Sequence, residues 1–323
     1  MKRGLVIGKF MPVHQGHIAL INFALEYCDE LIVSMSYTLA DKISHSLRYE
    51  WLKIIFGNNP KIKIEESLDD FDNENLPLNE RIKIWARFIN NRFSKIDVVI
   101  SSEEYGIPFA QHLGATSVLF DRSRNQIPIS ASKIRAKPFF YWDFIPEVVR
   151  PYFVKKICFY GPESTGKSNT AKRMAEVYQT EFVPEVAREI VNSNDFTVED
   201  IIKIGKMQTE RVLEKAKTAN KILFCDTDLI TTQIYCQHYL AKVPSILFEL
   251  EREIKYDQYF LFEVDVPWVA DGLRDLGEQR THMFQTFKLE LDKRKISYRL
   301  VTGDWDTREA YILSKIDELL VNN

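Results

Sequence analysis

Cysteine is scarce. The four in 323 residues, Cys28, Cys158, Cys225 and Cys236, form no C-x-x-C pair and have no histidines beside them at zinc-ligand spacing. That excludes a disulfide scaffold and a structural zinc site, and leaves reduced, mostly buried thiols of the kind found in cytosolic proteins. An excess of charge of one sign is also missing: 43 Lys and Arg meet 46 Asp and Glu, a net of −3. Neither a nucleic-acid coat nor an acidic solvating chain fits that balance. No run approaches the roughly 18 apolar residues of a membrane span, and the N-terminal apolar patch is too short for a signal peptide. A cytoplasmic protein with no membrane insertion is therefore expected. Solenoid repeats and low-complexity tracts are absent too. What is present, 45% hydrophobic and 28% charged residues, suits one large domain or two ordinary ones and excludes a disordered chain.

The chain opens with an apolar run, Leu5-Val6-Ile7, then a loop, then a helical pattern from about Ile18 to Cys28. β-like runs follow at 30–35, 61–64, 97–101 and 117–120, with helical patterns at about 46–57 and 78–94. Strands alternating with helices predict a parallel α/β sheet. The signature restarts at Lys156-Ile157-Cys158-Phe159-Tyr160, followed by a second glycine-bearing loop and a helix from about Ser168 to Tyr178. A restart means two domains, 1–153 and 154–323. The stretch 137–153, with three prolines and a cluster of aromatics, reads as a packed connector belonging to the first. Dividing there leaves net charges of +1 and −4, so neither half is a basic nucleic-acid module.

The first loop, Gly8-Lys9-Phe10-Met11-Pro12-Val13-His14-Gln15-Gly16-His17, lies between strand and helix, at the edge where doubly wound sheets bind ligands. A helix starting near His17 aims free N–H groups at an anion. Gly8 and Gly16 permit close backbone approach, and Lys9, His14 and His17 supply donors, which points to nucleotide phosphate. The two histidines alone also suit a metal, but no third ligand stands nearby. A later segment, Ile129-Ser130-Ala131-Ser132-Lys133-Ile134-Arg135, sets hydroxyls and an arginine at a helix start.

The second loop, Gly161-Pro162-Glu163-Ser164-Thr165-Gly166-Lys167-Ser168, is a complete G-x-x-x-x-G-K-[ST] between a strand and a helix. Its amides would cradle phosphates, Lys167 would reach the outer oxygens, and the Ser168 hydroxyl would ligate magnesium. Val183-Pro184-Glu185, with Arg188 close by, places an acid after the next β run as a candidate base. A further strand ends in Asp226-Thr227-Asp228, a Walker-B-like arrangement for magnesium. Which of Glu185 and Asp226 is the base stays open. Trp305 sits in Gly303-Asp304-Trp305-Asp306, where fold analogy places an adenine-contacting loop.

The first loop resembles the G-x-F-x-P-x-H-x-G-H signature of nucleotidyltransferases that include the nicotinamide mononucleotide (NMN) adenylyltransferases, and 129–135 resembles their I-S-x-T-x-x-R. The stretch Asp265 to Arg280 resembles the base-binding loop and arginine-bearing lid of ribosylnicotinamide kinases. Together, in this order over nearly the whole chain, the motifs resemble the bifunctional NadR-type proteins. The resemblance implies a Rossmann-like nucleotidyltransferase sheet followed by a P-loop kinase sheet. It implies phosphorylation of nicotinamide riboside to NMN, then adenylylation of NMN to NAD with release of pyrophosphate. ATP is the co-substrate of both steps, Mg2+ the metal and NAD the product. It assigns His14, His17 and Arg135 to the transferase chemistry, Lys9, Arg48, Ser130 and Ser132 to phosphate, and Trp85 to NMN; Tyr105, which follows the β-like run 97–101 and so lies at the same sheet edge, is expected to line the NMN site. In the kinase it assigns Arg274 and Arg280 to the transferring phosphate, and Arg188, Asp228, Asp265, Trp268 and Asp271 to the riboside. Partners are then small molecules, with no nucleic acid; a homo-oligomer stays open. Because the first strand begins near Arg3, no helix-turn-helix domain and no transcriptional role are expected. The residues by themselves establish two phosphate sites and leave the acceptor open, whether nicotinamide-derived or another vitamin, as they do a slow nucleotide sensor.

Overall fold

The computed structural model describes residues 1–72, 75–191, 193, 195–269 and 275–322. They fold as two compact units, Met1–Val149 and Arg150–Asn322. The first is built on a parallel sheet of β1 (Arg3–Gly8), β2 (Glu30–Tyr37), β3 (Ile62–Leu68), β4 (Val98–Ser101) and β5 (Thr116–Leu119), in the order β3-β2-β1-β4-β5. The chain winds outward from β1 on one side through α1 (Gln15–Ala24) and α2 (His45–Phe56). It then crosses back through α3 (Leu78–Arg92) to β4 and reaches β5 through α4 (Gly106–Leu113). The strand order therefore reverses beside β1, and its carboxyl end carries the first loop at the position where such sheets bind ligands.

The expected elements form close to the expected places. Helix α1 stops at Ala24 rather than Cys28, because its last turn tightens into three-residue bonds, Leu25 N–H to Asn22, Glu26 to Phe23 and Tyr27 to Ala24. Helix α4, unforeseen in the sequence, is short and ends at Gly114 with φ +67°. On one face Leu5, Ile32 and Val99 pack against Ile82, Ala86 and Ile89 of α3 and Phe109 and Leu113 of α4.

The second unit has the order β10-β9-β6-β8-β7: β10 (Tyr298–Val301), β9 (Gln258–Phe262), β6 (Lys155–Tyr160), β8 (Ile222–Asp226) and β7 (Phe182–Val183), all parallel. Period-two alternation divides β6 cleanly. Ile157 and Phe159 join Phe224, Phe260 and Phe262 against α6 (Lys167–Val177) and α12 (Trp305–Asn322). Cys158 and Tyr160 face the other way with Tyr259 and Leu261, against α9 (Leu229–Leu240) and α11 (Arg280–Lys293). Helices α8 (Val198–Thr218) and α10 (Ser245–Glu253) pack on α9. All four cysteines are free and buried, and no helix among the described residues is long and apolar enough to cross a membrane.

Candidate active sites

In the first unit His14 caps α1. Its Nδ1 accepts the His17 N–H at 3.3 Å and its carbonyl accepts the same N–H at 2.8 Å. The two imidazoles stack, centroids 3.7 Å apart at 18°, and Phe10 meets His17 edge-on at 4.8 Å. Burial lowers the His14 pKa to about 3, with a further push from the Arg124 guanidinium. Burial, then His14 and Arg124, hold His17 well below its ordinary value. Both rings are therefore neutral at pH 7. Since Nδ1 of His14 accepts, its proton sits on Nε2, a fixed neutral donor.

These rings share a cleft with Gly8, Phe10, Gly16, Ser130 and Ser132. Ser130 caps α5 (Ala131–Ala136), accepting the Lys133 N–H at 3.3 Å. Arg124 also lines the cleft and was not foreseen. Its loop is folded around the Asp121 carboxylate, which accepts the N–H groups of Asn125, Gln126 and Ile127. Arg124 itself donates to the Ile129 carbonyl at 3.0 Å and to Glu103 at 2.8 Å. The available signal was its place after β5, at the same sheet edge as the first loop.

A second hollow holds Trp85, Arg81, Asp72, Asp69, Ser34 and Lys9, and shares Ile7, Gly8 and Tyr105 with the histidine cleft. The Arg81 guanidinium lies 5.2 Å from the Trp85 ring and grips Asp72 through two bonds of 2.9 and 2.5 Å. Tyr105 meets Trp85 edge-on at 5.7 Å, and burial pushes its phenol up to about 12, so it stays protonated. Two hollows joined at Gly8 suit two ligands reacting across the end of β1. Lys9 falls in the tryptophan hollow rather than the histidine cleft, 4.0 Å from Asp41.

One expectation here is corrected. Arg48 is fully buried and its donors are committed: Nε to the Ser44 carbonyl, Nη1 to those of Lys9 and Ser36, Nη2 to Asp41 at 2.7 Å. It braces the phosphate loop from behind and offers nothing to phosphate. Arg135 donates to the Met11 carbonyl and, at 3.3 Å, to Ser132 Oγ, so in this state it ties α5 to the same loop.

In the second unit the P-loop has the backbone its sequence requires. Gly161 has φ +138° and Gly166 has φ +90°, left-handed backbone that favours glycine, and Gly166 packs directly beneath the Trp305 ring. Trp305 thus covers the P-loop, although half exposed, next to where the loop receives phosphate. Lys167 Nζ donates to the Pro162 carbonyl at 2.6 Å across the loop. The cavity beside it is lined by Gly161, Glu163, Ser164, Thr165, Gly166, Lys167 and Ser168, with Glu185 and Arg188 opposite. Arg188 holds Glu185 at 3.2 Å. Asp226 is buried at the end of β8, and burial together with nearby Glu185 raises its pKa, while Lys167 and the Ser168 hydroxyl lower it. The Asp226 carboxylate and the Ser168 hydroxyl at the foot of a phosphate loop are oxygen donors of the kind a magnesium ion bound to phosphates uses.

Other expected riboside and phosphate residues serve the scaffold. Asp228 is 1% exposed and caps α9, accepting the Thr231 N–H at 2.9 Å, its hydroxyl at 3.0 Å and the Tyr259 hydroxyl at 3.0 Å. It faces the sheet, not the cavity. Asp265 accepts the Gly303 N–H at 2.6 Å and pairs with Arg308. Arg280 is 9% exposed and donates to the carbonyls of Val266 at 3.0 Å and Ser164 at 3.1 Å, so it is an internal brace rather than a closing lid. Trp268 packs on Gly277 and points its Nε1 at Glu163, 3.4 Å away. Asp271 and Arg274 lie outside the described residues. Arg308, unforeseen, is 1% exposed and donates to Thr165 and Glu263 carbonyls at 2.8 and 3.1 Å.

Comparison with known proteins now decides the family. The chain is 31% identical over 98% of its length to the trifunctional NAD biosynthesis/regulator protein NadR of Escherichia coli, covering 83% of that protein, and matches its Salmonella typhimurium counterpart equally. The chain belongs to the NadR family. A family model described as an AAA domain matches residues 156–308. The nicotinamide-nucleotide adenylyltransferase of Pyrococcus furiosus is 26% identical over 49% of this chain and 85% of its own. A crystal structure of a NadR protein in complex with NR superposes with a TM-score of 0.81 at 21% identity, covering 98% of this chain and 96% of the other. The fold is thus shared over 98% of the chain.

Proposed function

We propose that this NadR-family chain is a bifunctional enzyme of NAD salvage. The second unit transfers the γ-phosphoryl group of ATP to the 5′-hydroxyl of nicotinamide riboside, giving NMN and ADP. The first joins NMN to the α-phosphorus of ATP, giving NAD and pyrophosphate. The observation that carries this is a separate phosphate loop at the ligand edge of each sheet, one meeting an aromatic hollow and the other an acid-lined cavity.

In the transferase, the NMN phosphate oxygen attacks in line and the bond to pyrophosphate breaks, so no covalent enzyme intermediate is needed. Catalysis is positioning and charge stabilisation. Neutral His14 and His17 donate N–H bonds to the triphosphate, Ser130 and Ser132 with the start of α5 hold the departing phosphates, and Arg124 adds a cation. Trp85 stacks on the nicotinamide ring. In the kinase, the P-loop amides and Lys167 hold the triphosphate, and Glu185 accepts the riboside hydroxyl proton as the new P–O bond forms. Ser168 and Asp226 would hold Mg2+, which would neutralise charge on the phosphates when bound. A cytoplasmic location and small-molecule partners accord with this chemistry.

The experiment is to supply Mg2+, ATP and nicotinamide riboside and to follow products by chromatography. NMN then NAD, with ADP and pyrophosphate in step, is the expected course; an untouched riboside with ATP bound at both sites refutes the acceptor.

A further inference from the structure

Helix α8 turns Ile201, Ile204 and Gln208 toward the kinase cavity, an i, i+3, i+7 stripe in which two residues are apolar and the third is an amide. Gln208 is 1% exposed. Its Oε1 accepts the Val186 N–H at 3.0 Å, which fixes the orientation of the side-chain amide. Its Nε2 is buried and has no partner among the described residues. A buried amide donor left unpaired is costly, so one that borders a cavity calls for a partner the fold itself does not supply. Around it the cavity supplies aromatic and apolar walls, Phe196, Tyr235, Tyr239 and the two isoleucines, the surroundings of a planar ring.

Resting on the function proposed above, we propose that Gln208 is the specificity residue of the kinase cavity, its Nε2–H donating to the carbonyl oxygen of the nicotinamide carboxamide. A donor locked in one orientation selects a group that only accepts. A carbonyl oxygen does so, whereas a ribose hydroxyl can turn to satisfy many neighbours. Val186 follows Glu185 directly, so the same side chain also holds the backbone next to the base. The test must separate these two effects.

The measurement is kcat/KM for nicotinamide riboside and for the riboside of unsubstituted pyridine, in wild type and in Gln208→Met. Wild type should prefer the carboxamide substrate by about tenfold to a hundredfold, and the variant should bring the ratio to within about threefold. If both substrates lose equally and the ratio stands, Gln208 positions the Glu185 segment or meets the ribose, and the proposal is overturned. Should Gln208→Met fail to fold, Gln208→Glu keeps the acceptor for Val186 while removing the amide donor, and the same collapse of the ratio is expected. A wild type inert toward nicotinamide riboside removes the functional reading itself, before any variant is made.

Discussion

Lowering the pH tests the neutral-histidine argument directly. A free histidine titrates near 6.5, whereas burial holds His14 in the folded chain at about 3. The unfolded chain therefore binds the proton first as pH falls, and stability present above pH 6.5 is lost progressively down to about 3. At pH 5 the unfolded site is almost wholly protonated and the folded one almost wholly neutral. The linkage then costs the first unit about 2 kcal/mol relative to pH 7.5, rising toward about 5 kcal/mol below pH 3. Against a typical domain stability of about 5–15 kcal/mol that is a large share. The assay is ring-proton NMR of the six histidines, with His14 identified from the spectrum of His14→Asn, which retains a good helix cap. The urea midpoint of wild type should fall more steeply between pH 7.5 and 5 than that of the variant. A His14 ring titrating between pH 6 and 7 would refute the reasoning, because the imidazole would then be hydrated and not a neutral donor facing the triphosphate.

Lys167→Ala should abolish riboside phosphorylation while leaving NAD formation from supplied NMN nearly intact, and His17→Ala should do the reverse; loss of both activities in a folded variant of either kind breaks the two-site model. Trp85→Ala should raise KM for NMN roughly tenfold with a smaller change in kcat, as expected when a stacking surface is removed, and Trp85→Phe should recover most of it. Arg308→Ala should cost about 2–4 kcal/mol, since it strips donors from two carbonyls and a partner from Asp265. Arg308→Lys should not restore it, because a single ammonium cannot span those acceptors; thermal melts and kinase kcat/KM read both variants.

How much of this was legible in the sequence depends on what each contact rests on. The sheets and most helices follow from hydrophobic periodicity, which is local, and both phosphate loops follow from contiguous residues whose backbone chemistry is fixed by glycine, lysine and hydroxyls. The reading failed where a side chain's role is set by a partner far along the chain. Arg48, Arg280 and Arg308 show why. A loop that turns its N–H groups toward phosphate turns its C=O groups inward, and buried carbonyls need donors. The Lys9, Ser164 and Thr165 carbonyls find them in Arg48, Arg280 and Arg308, and the Met11 carbonyl finds one in Arg135. An arginine carries five donors in a planar fork, so one residue can satisfy several carbonyls of an irregular loop at once. The same device serves both units on unrelated loops. An arginine close to a phosphate motif is read from sequence as a ligand of the phosphate. Here burial and carbonyl contacts place two so read, Arg48 and Arg280, behind the loop with the unforeseen Arg308, where they preorganise the amides that do the binding.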